Sequence, residues 1–220
     1  MAATADAVII GGGVMGCSIL YNLAARGMTD TVLLEKDVLA SGSTGRSQAI
    51  LRMHYSNEVT TTLAWESLQI FKDFDEIVGG PSGYVRTGYF LIVDQRDRDS
   101  MEANVAMQKR VGVDTDVVNV EDVREIAPML SVSGSESFAY EPQSGYADPY
   151  SVTTGYANAA RELGAVVRSG SPATSIEITG DRVSAVLTSR ERIETPVAVV
   201  AAGPWSGALL SSIEMSTLLA

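Results

Sequence analysis

DAVIIGGGVMGCSILYNLAARG (residues 6–27), followed by TVLLEK (residues 31–36), decides the fold. DAVII is a short apolar strand and GGGVMG a glycine turn. From Val14 to Arg26 apolar residues recur at helical spacing, through Ile19, Leu20, Leu23 and Ala24. Gly27 is the expected stop, because helices often end at a glycine. TVLLEK then reads as a second strand. Both strands are apolar throughout rather than alternating, the pattern of parallel strands buried on two faces. The stretch predicts a βαβ unit over residues 6–35.

Within it stands Gly11-x-Gly13-x-x-Gly16. Gly11 permits the tight turn, Gly13 lets the backbone approach a pyrophosphate, and Gly16 lets the helix pack close to the strand. The helix N-terminus offers unpaired N–H groups and the positive end of the helix dipole. Glu35 closes the second strand, 19 positions after Gly16. That is the place of a carboxylate that accepts ribose hydroxyls. A carboxylate there repels a 2′-phosphate, which disfavours NADP. The fingerprint alone does not separate FAD from NAD.

Outward from this unit the pattern changes. ASGSTGRSQ (residues 40–48) is rich in Ser, Gly and Thr and predicts an extended loop or helix start within residues 37–57. Residues 58–78 read as an amphipathic helix through Leu63, Trp65, Leu68, Ile70, Phe71 and Phe74. Residues 84–93 read as one strand, residues 97–111 as a charged helix, and VEDVREIAPML as a short helix stopped by Pro128. EPQSGYADPYS is turn-rich, and residues 151–163 predict a helix ended by Gly164. AVVRSG, ATSIEIT, RVSAVLTS and RIETP are a run of strands. PVAVVAAGPWSGALL is a buried strand, a glycine turn and a helix start. No internal repeat or low-complexity tract is present.

Composition bounds the class. The chain has 220 residues, 45% of them hydrophobic, enough for one substantial core. Lys and Arg number 16 against 27 Asp and Glu, a formal net charge of −11. So acidic a chain disfavours nucleic acid and anionic membrane as partners. The single cysteine, Cys17, excludes a disulfide framework within the chain and fits a reducing cytoplasm. The N-terminus reads as no signal peptide, and no apolar run is long enough to span a bilayer.

The segment ASGSTGRSQAILRMHYSN (residues 40–57), directly after the second strand, resembles the second flavin-contacting segment of the D-amino acid oxidase superfamily. It is most similar to the sarcosine oxidase and dimethylglycine dehydrogenase branch. RTGYFLIV (residues 86–93), SGYADPYSV (residues 144–152) and VVAAGPWSGALL (residues 199–210) resemble the same branch, in order and at the expected spacing. The resemblance implies an α/β fold: a Rossmann-type FAD-binding domain interrupted by an antiparallel β-sheet substrate domain. The expected division is FAD-binding segments at residues 1–80 and 146–220 around a substrate-domain segment at residues 81–145. It also implies that the fold is incomplete at the C-terminus, and that this chain is the N-terminal part of a longer protein.

The expected cofactor is FAD. Its expected contacts are Gly11, Gly13, Val14, Met15 and Gly16 in the first turn, with Glu35 and Lys36 at the end of the second strand. The resemblance adds Ser43, Thr44, Arg46 and Ser47 along the pyrophosphate and flavin; hydroxyls and a guanidinium suit an anionic diphosphate. It places Ala173 where backbone meets the adenine, and Ala201, Gly203 and Trp205 where the chain returns to the cofactor. Trp205 fits core packing equally well. Arg52 resembles a substrate-side arginine near the flavin, able to clamp a carboxylate. His54, the only histidine, is a candidate to orient or deprotonate an amine. Both also suit ordinary polar positions before a helix. No metal site is expected. Some family members attach flavin covalently through Cys or His. Cys17 lies in the first helix as a small buried residue, and His54 does not clearly match the family's histidine.

The implied function is FAD-dependent oxidation of a C–N bond in a small secondary or tertiary amino acid of the sarcosine, dimethylglycine or proline type, by hydride transfer to flavin. The electron acceptor is left open between oxygen and a carrier protein, and partner subunits are possible within this reading. Two alternatives stand beside it: a 2-hydroxy acid or glycerol phosphate dehydrogenase on the same fold, and a non-catalytic FAD-binding subunit or fragment.

Overall fold

The computed structural model describes residues 3–213. Its α/β class is the one read from the sequence. The described chain divides into two units. Among the described residues the first comprises 3–47, 75–82 and 148–213; the second comprises residues 48–74 and 83–147.

The first unit is built on the βαβ stretch. Four parallel strands form its central sheet in the order Val166–Arg168, Thr31–Leu34, Ala7–Ile10, Ala198–Val200. Ala7–Ile10 and Thr31–Leu34 are buried at every residue, which is why their sequences do not alternate. The helix Val14–Ala25 crosses between them and buries Gly16, Cys17, Leu20 and Ala24. A second helix, Pro149–Glu162, packs beside it. Asp148 starts that helix by accepting the Ser151 N–H at 2.6 Å, with Pro149 at its first position. The cap moves the start two residues ahead of the expected 151.

Side chains of the parallel sheet alternate between two apolar environments. Val8, Ile10, Val32 and Leu34 share a core with Ile176, Val186 and Ile193 of a second sheet. That sheet runs Ala3–Thr4, Arg192–Glu194, Arg182–Thr188, Ala173–Thr179. Its last three strands pair antiparallel, while Ala3–Thr4 joins Arg192–Glu194 in parallel. Each fully buried Ile, Leu or Val in such a core contributes roughly 1.5–3 kcal/mol.

The second unit holds two three-stranded antiparallel sheets. One orders Ile50–Leu51, Gly145–Tyr146, Val85–Arg86; the other orders Tyr89–Asp94, Glu136–Glu141, Asp116–Val118. Helices Glu58–Lys72 and Arg98–Val111 pack against each other within it, and Val120–Ile126 carries a reciprocal capping box between Asn119 and Asp122.

Three sequence expectations change here. The expected strand over residues 84–93 breaks into Val85–Arg86 and Tyr89–Asp94. Gly88 adopts φ +75°, and the N–H groups of Thr87 and Gly88 both donate to the Ser144 carbonyl. The expected helix over residues 58–78 stops at Lys72, because Asp73 leaves helical geometry at φ −110°, ψ 29°. A separate turn of helix follows at Phe74–Ile77. The loop after the second parallel strand holds a 3-10 turn at Thr44–Arg46 and the strand Ile50–Leu51.

Candidate functional site

A cavity of about 870 Å3 lies in the first unit at the C-terminal ends of its parallel strands. Open α/β sheets bind ligands at that end. Gly11, Gly13 and Met15 of the glycine turn line it, as do Glu35 and Lys36 at the end of the second strand. Ser43 and Thr44 line it from the following loop, Ala173 from the second sheet, and Ala201, Gly203 and Trp205 from the last strand and its turn. Residues 35 and 201 follow parallel strands that end on one edge, and Thr44 of the loop and Ala173, first in its strand of the second sheet, join them there.

Steric space explains the three glycines separately. Gly11 has φ +118°, and a Cβ there would stand 2.4 Å from the Ala201 carbonyl oxygen. A Cβ on Gly16 would stand 1.9 Å from the Gly11 carbonyl oxygen, so this residue fixes how closely the helix approaches the turn. At Gly13 a Cβ would meet only the Thr44 hydroxyl, at 3.0 Å. The glycine there keeps backbone accessible from the cavity rather than relieving a packed contact.

The helix Val14–Ala25 begins at Gly13 with no side-chain cap and no acidic residue in its first turn. Apart from the Val14 N–H, the N–H groups of its first turn and its positive dipole end are therefore open to an anion. The Val14 N–H donates to the Thr44 hydroxyl at 3.1 Å, which ties the Ser/Thr-rich loop to the helix start. Glu35 is buried, and its two carboxylate oxygens accept the N–H groups of Gly12 at 2.6 Å and Asp37 at 2.9 Å. A carboxylate accepts about four hydrogen bonds, so lone pairs are left for hydroxyls presented from the cavity. Lys36 Nζ sits 4.1 Å from the centre of the Trp205 ring, and a Cβ on Gly42 would touch the other edge of that indole at 3.3 Å. Trp205 is thus exposed at the cavity rather than packed in a core.

Four residues of the expected set lie outside the lining. Val14 and Gly16 belong to the first helical turn behind it, while Arg46 and Ser47 are exposed on the loop. Ser41, Gly42, Pro172, Ala202 and Leu209 line the cavity without having been singled out in the sequence. Gly42, Pro172 and Ala202 are direct neighbours of residues that were, and Ser41 is two positions from one. Cys17 is fully buried in the helix, and burial pushes its thiol up to about 12, the state of an unreactive side chain.

Arg52 and His54 stand in the second unit. The pairing of Leu51 with Gly145 brings residues 52–54 beside the turn after Glu141. The Arg52 guanidinium donates from Nη1 to the His54 carbonyl at 2.5 Å, and lies 4.6 Å from the Tyr55 ring centre and 5.8 Å from that of Tyr89. His54 is buried, and its Nδ1 lies 3.8 Å from Glu141 Oε1. Burial first, and the Arg52 charge second, lower the His54 pKa below its ordinary value. Burial raises that of Glu141, against the Met53 N–H, the Ser144 hydroxyl and Arg52, all of which favour the carboxylate. Glu141 was not singled out in the sequence. Its contact to the Met53 N–H spans 88 residues, and no local pattern signals it.

Residues 6–218 match the family model described as FAD dependent oxidoreductase. The chain belongs to the FAD-dependent oxidoreductase family. Relatives from this family include human mitochondrial sarcosine dehydrogenase, 32% identical over 94% of this chain and 23% of that protein. Rat mitochondrial dimethylglycine dehydrogenase is 29% identical over 92% of this chain and 24% of that protein. The crystal structure of L-proline dehydrogenase from P. horikoshii superposes with a TM-score of 0.91 at 28% identity, covering 99% of this chain and 57% of that one. The chain thus spans about a quarter of the length of the curated relatives it matches. As a family member it carries the glycine turn, Glu35 and an open helix start around one cavity, and these residues fit a dinucleotide such as FAD. No helix among the described residues is long and apolar enough to cross a membrane.

Proposed function

We propose that this chain binds FAD in the cavity of the first unit and serves an oxidoreductase that oxidises a C–N bond of a small secondary or tertiary amino acid. The observation that carries the reading is the convergence of Gly13, the uncapped helix start and Glu35 on one cavity in a chain of this family. When bound, FAD supplies a two-electron acceptor for a substrate carbon–hydrogen bond beside nitrogen.

The chain's own residues divide the remaining tasks. The helix start at Gly13 and the hydroxyls of Ser43 and Thr44 take the diphosphate. Glu35 accepts the ribose hydroxyls. Lys36, stacked on Trp205, brings positive charge to the cavity edge. The second unit, which carries most of residues 81–145, is assigned to the substrate. There Arg52 pairs with the substrate carboxylate through its guanidinium fork. A buried His54 of lowered pKa stays neutral, and so adds no second cation beside Arg52. The substrate class proposed follows the names of the relatives, sarcosine, dimethylglycine and proline. Partner subunits and an electron acceptor, oxygen or a carrier protein, belong to the same proposal. So does a reducing compartment, which a single buried cysteine suits.

An absorption spectrum of the purified protein, recorded before and after anaerobic addition of sarcosine, dimethylglycine and proline, tests the reading. A flavin spectrum bleached by one of these amines supports it. A flavin spectrum that no amine bleaches removes the substrate assignment, and a colourless protein that takes up no added FAD removes the cofactor assignment.

A further inference from the structure

Four residues of the second unit meet at one buried point. Glu141, at the end of the strand Glu136–Glu141, is 1% exposed. Its Oε2 accepts the Met53 N–H at 2.9 Å and the Ser144 hydroxyl at 2.7 Å. Its Oε1 lies 3.8 Å from His54 Nδ1, and neither of these buried atoms has a hydrogen-bond partner. A buried polar atom left unpaired is costly. These two are chemical complements: a ring N–H donates, a carboxylate oxygen accepts. At 3.8 Å the two atoms stand about 1 Å beyond ordinary N–H···O distance.

We infer that His54 is held as the neutral Nδ1–H tautomer donating to Glu141, and that Glu141 is thereby the positioning residue for the segment that carries Arg52. Glu141 grips that segment twice, at the Met53 N–H and at the His54 ring. The carbonyl that accepts the Arg52 guanidinium is that of His54 itself, directly after the second grip. The stacking of Arg52 on Tyr55 and Tyr89 sets its remaining freedom. Burial raises the Glu141 pKa, and the two donors on Oε2 and the nearby Arg52 charge oppose that shift; with the carboxylate ionised, the one proton of the pair is the ring's. Which ring nitrogen of a neutral histidine carries the proton is set by the hydrogen bond that nitrogen makes. The inference deepens the role proposed for Arg52 and rests on it for its meaning in substrate binding. The tautomer itself is independent of flavin and substrate.

The test is nuclear magnetic resonance on protein labelled with 15N-histidine. His54 is the only histidine of these 220 residues, so every ring signal from a protein of this sequence belongs to it. In the unsubstituted protein at neutral pH, Nδ1 is expected to carry the proton. Glu141→Gln then makes a sharp prediction. The Met53 N–H can only donate, so the glutamine carbonyl stays opposite it and the amide NH2 takes the place of Oε1. That NH2 presents a donor to Nδ1, which must become the acceptor, and the tautomer switches to Nε2–H. A general loss of packing would broaden signals without choosing a tautomer. A dominant Nε2–H form in the unsubstituted protein overturns the inference, and so does Nδ1–H retained in a folded Glu141→Gln. Should that variant fail to fold, the unsubstituted protein alone decides. None of these outcomes depends on flavin uptake or turnover, so failure of the flavin reading is scored separately.

Discussion

Glu35 and Gly12 are joined across the first two parallel strands: the carboxylate accepts the Gly12 N–H at 2.6 Å with its side chain buried. The same bond that shapes the glycine turn therefore points the remaining lone pairs at the cavity. Glu35→Gln keeps the side chain's size but exchanges one acceptor oxygen for a donor. We expect it to weaken FAD binding by about 1.5–3 kcal/mol, the range for a hydrogen bond to a charged group, or roughly ten- to a hundredfold in Kd. Titration of the apoprotein with FAD measures it. An unchanged Kd would remove Glu35 from the ribose site.

Gly13 and Gly16 separate a binding role from a packing role. A Cβ on Gly16 meets the Gly11 carbonyl at 1.9 Å, and backbone on both sides has nowhere to go. Gly16→Ala is expected to lower the melting temperature sharply or prevent folding. Gly13 has an ordinary φ of −79°, and its Cβ would meet only the movable Thr44 hydroxyl. Gly13→Ala is expected to melt near the unsubstituted protein while its FAD affinity falls at least tenfold. Melting curves with and without FAD check both. Equal destabilisation by the two substitutions would show that Gly13 is a packing residue as well.

Much of this was legible in the sequence, for physical reasons that differ by element. The βαβ unit declared itself because strands such as AVII and TVLL are buried on two faces and cannot alternate. Glu35 was legible because the spacing from Gly16 is imposed by the length of helix needed to cross between two strands. The break at Gly88 was not. Seven β-formers run from Tyr84 to Val93, and only the Ser144 carbonyl, placed by another strand, turns the chain there. Glu141 was illegible for the same reason: its partners Met53 and His54 arrive through the pairing of Leu51 with Gly145. Local pattern reports on faces and turns. It does not report which distant backbone donor a buried carboxylate will meet.

Arg52 is expected to act on substrate, not on cofactor. Its guanidinium is stacked on two tyrosine rings in the second unit, and the cavity lined by the glycine turn belongs to the first. In a flavin-loaded, active preparation Arg52→Ala should raise KM for carboxylated amines at least tenfold, while flavin content stays unchanged. Arg52→Lys should recover only part of the loss, because an ammonium lacks the planar fork. Comparing kcat and KM for sarcosine and for an amine without a carboxylate checks it. Equal losses on both substrates would point to a structural arginine.

His54 also gives stability a pH dependence whose sign is fixed. Its folded pKa is lowered from 6.5, by burial first and by Arg52 second. Its contribution is therefore complete above 6.5 and is lost as pH falls, because the unfolded chain takes up a proton that the buried ring declines. Glu141 runs the other way. Its folded pKa is raised from 4.5 by burial, so its contribution is complete below 4.5 and fades as pH rises through the raised value. Between 4.5 and 6.5, acidification thus costs stability through His54 and restores some through Glu141. His54→Gln removes the first effect and keeps a donor towards Glu141. Melting temperatures of the two proteins at pH 7.5 and pH 5.5 should show a smaller fall for His54→Gln. The difference is bounded by about 1.4 kcal/mol per pH unit for one proton. Parallel pH slopes would mean that His54 takes up its proton in the folded protein as readily as in the unfolded chain, and that its burial does not hold in solution.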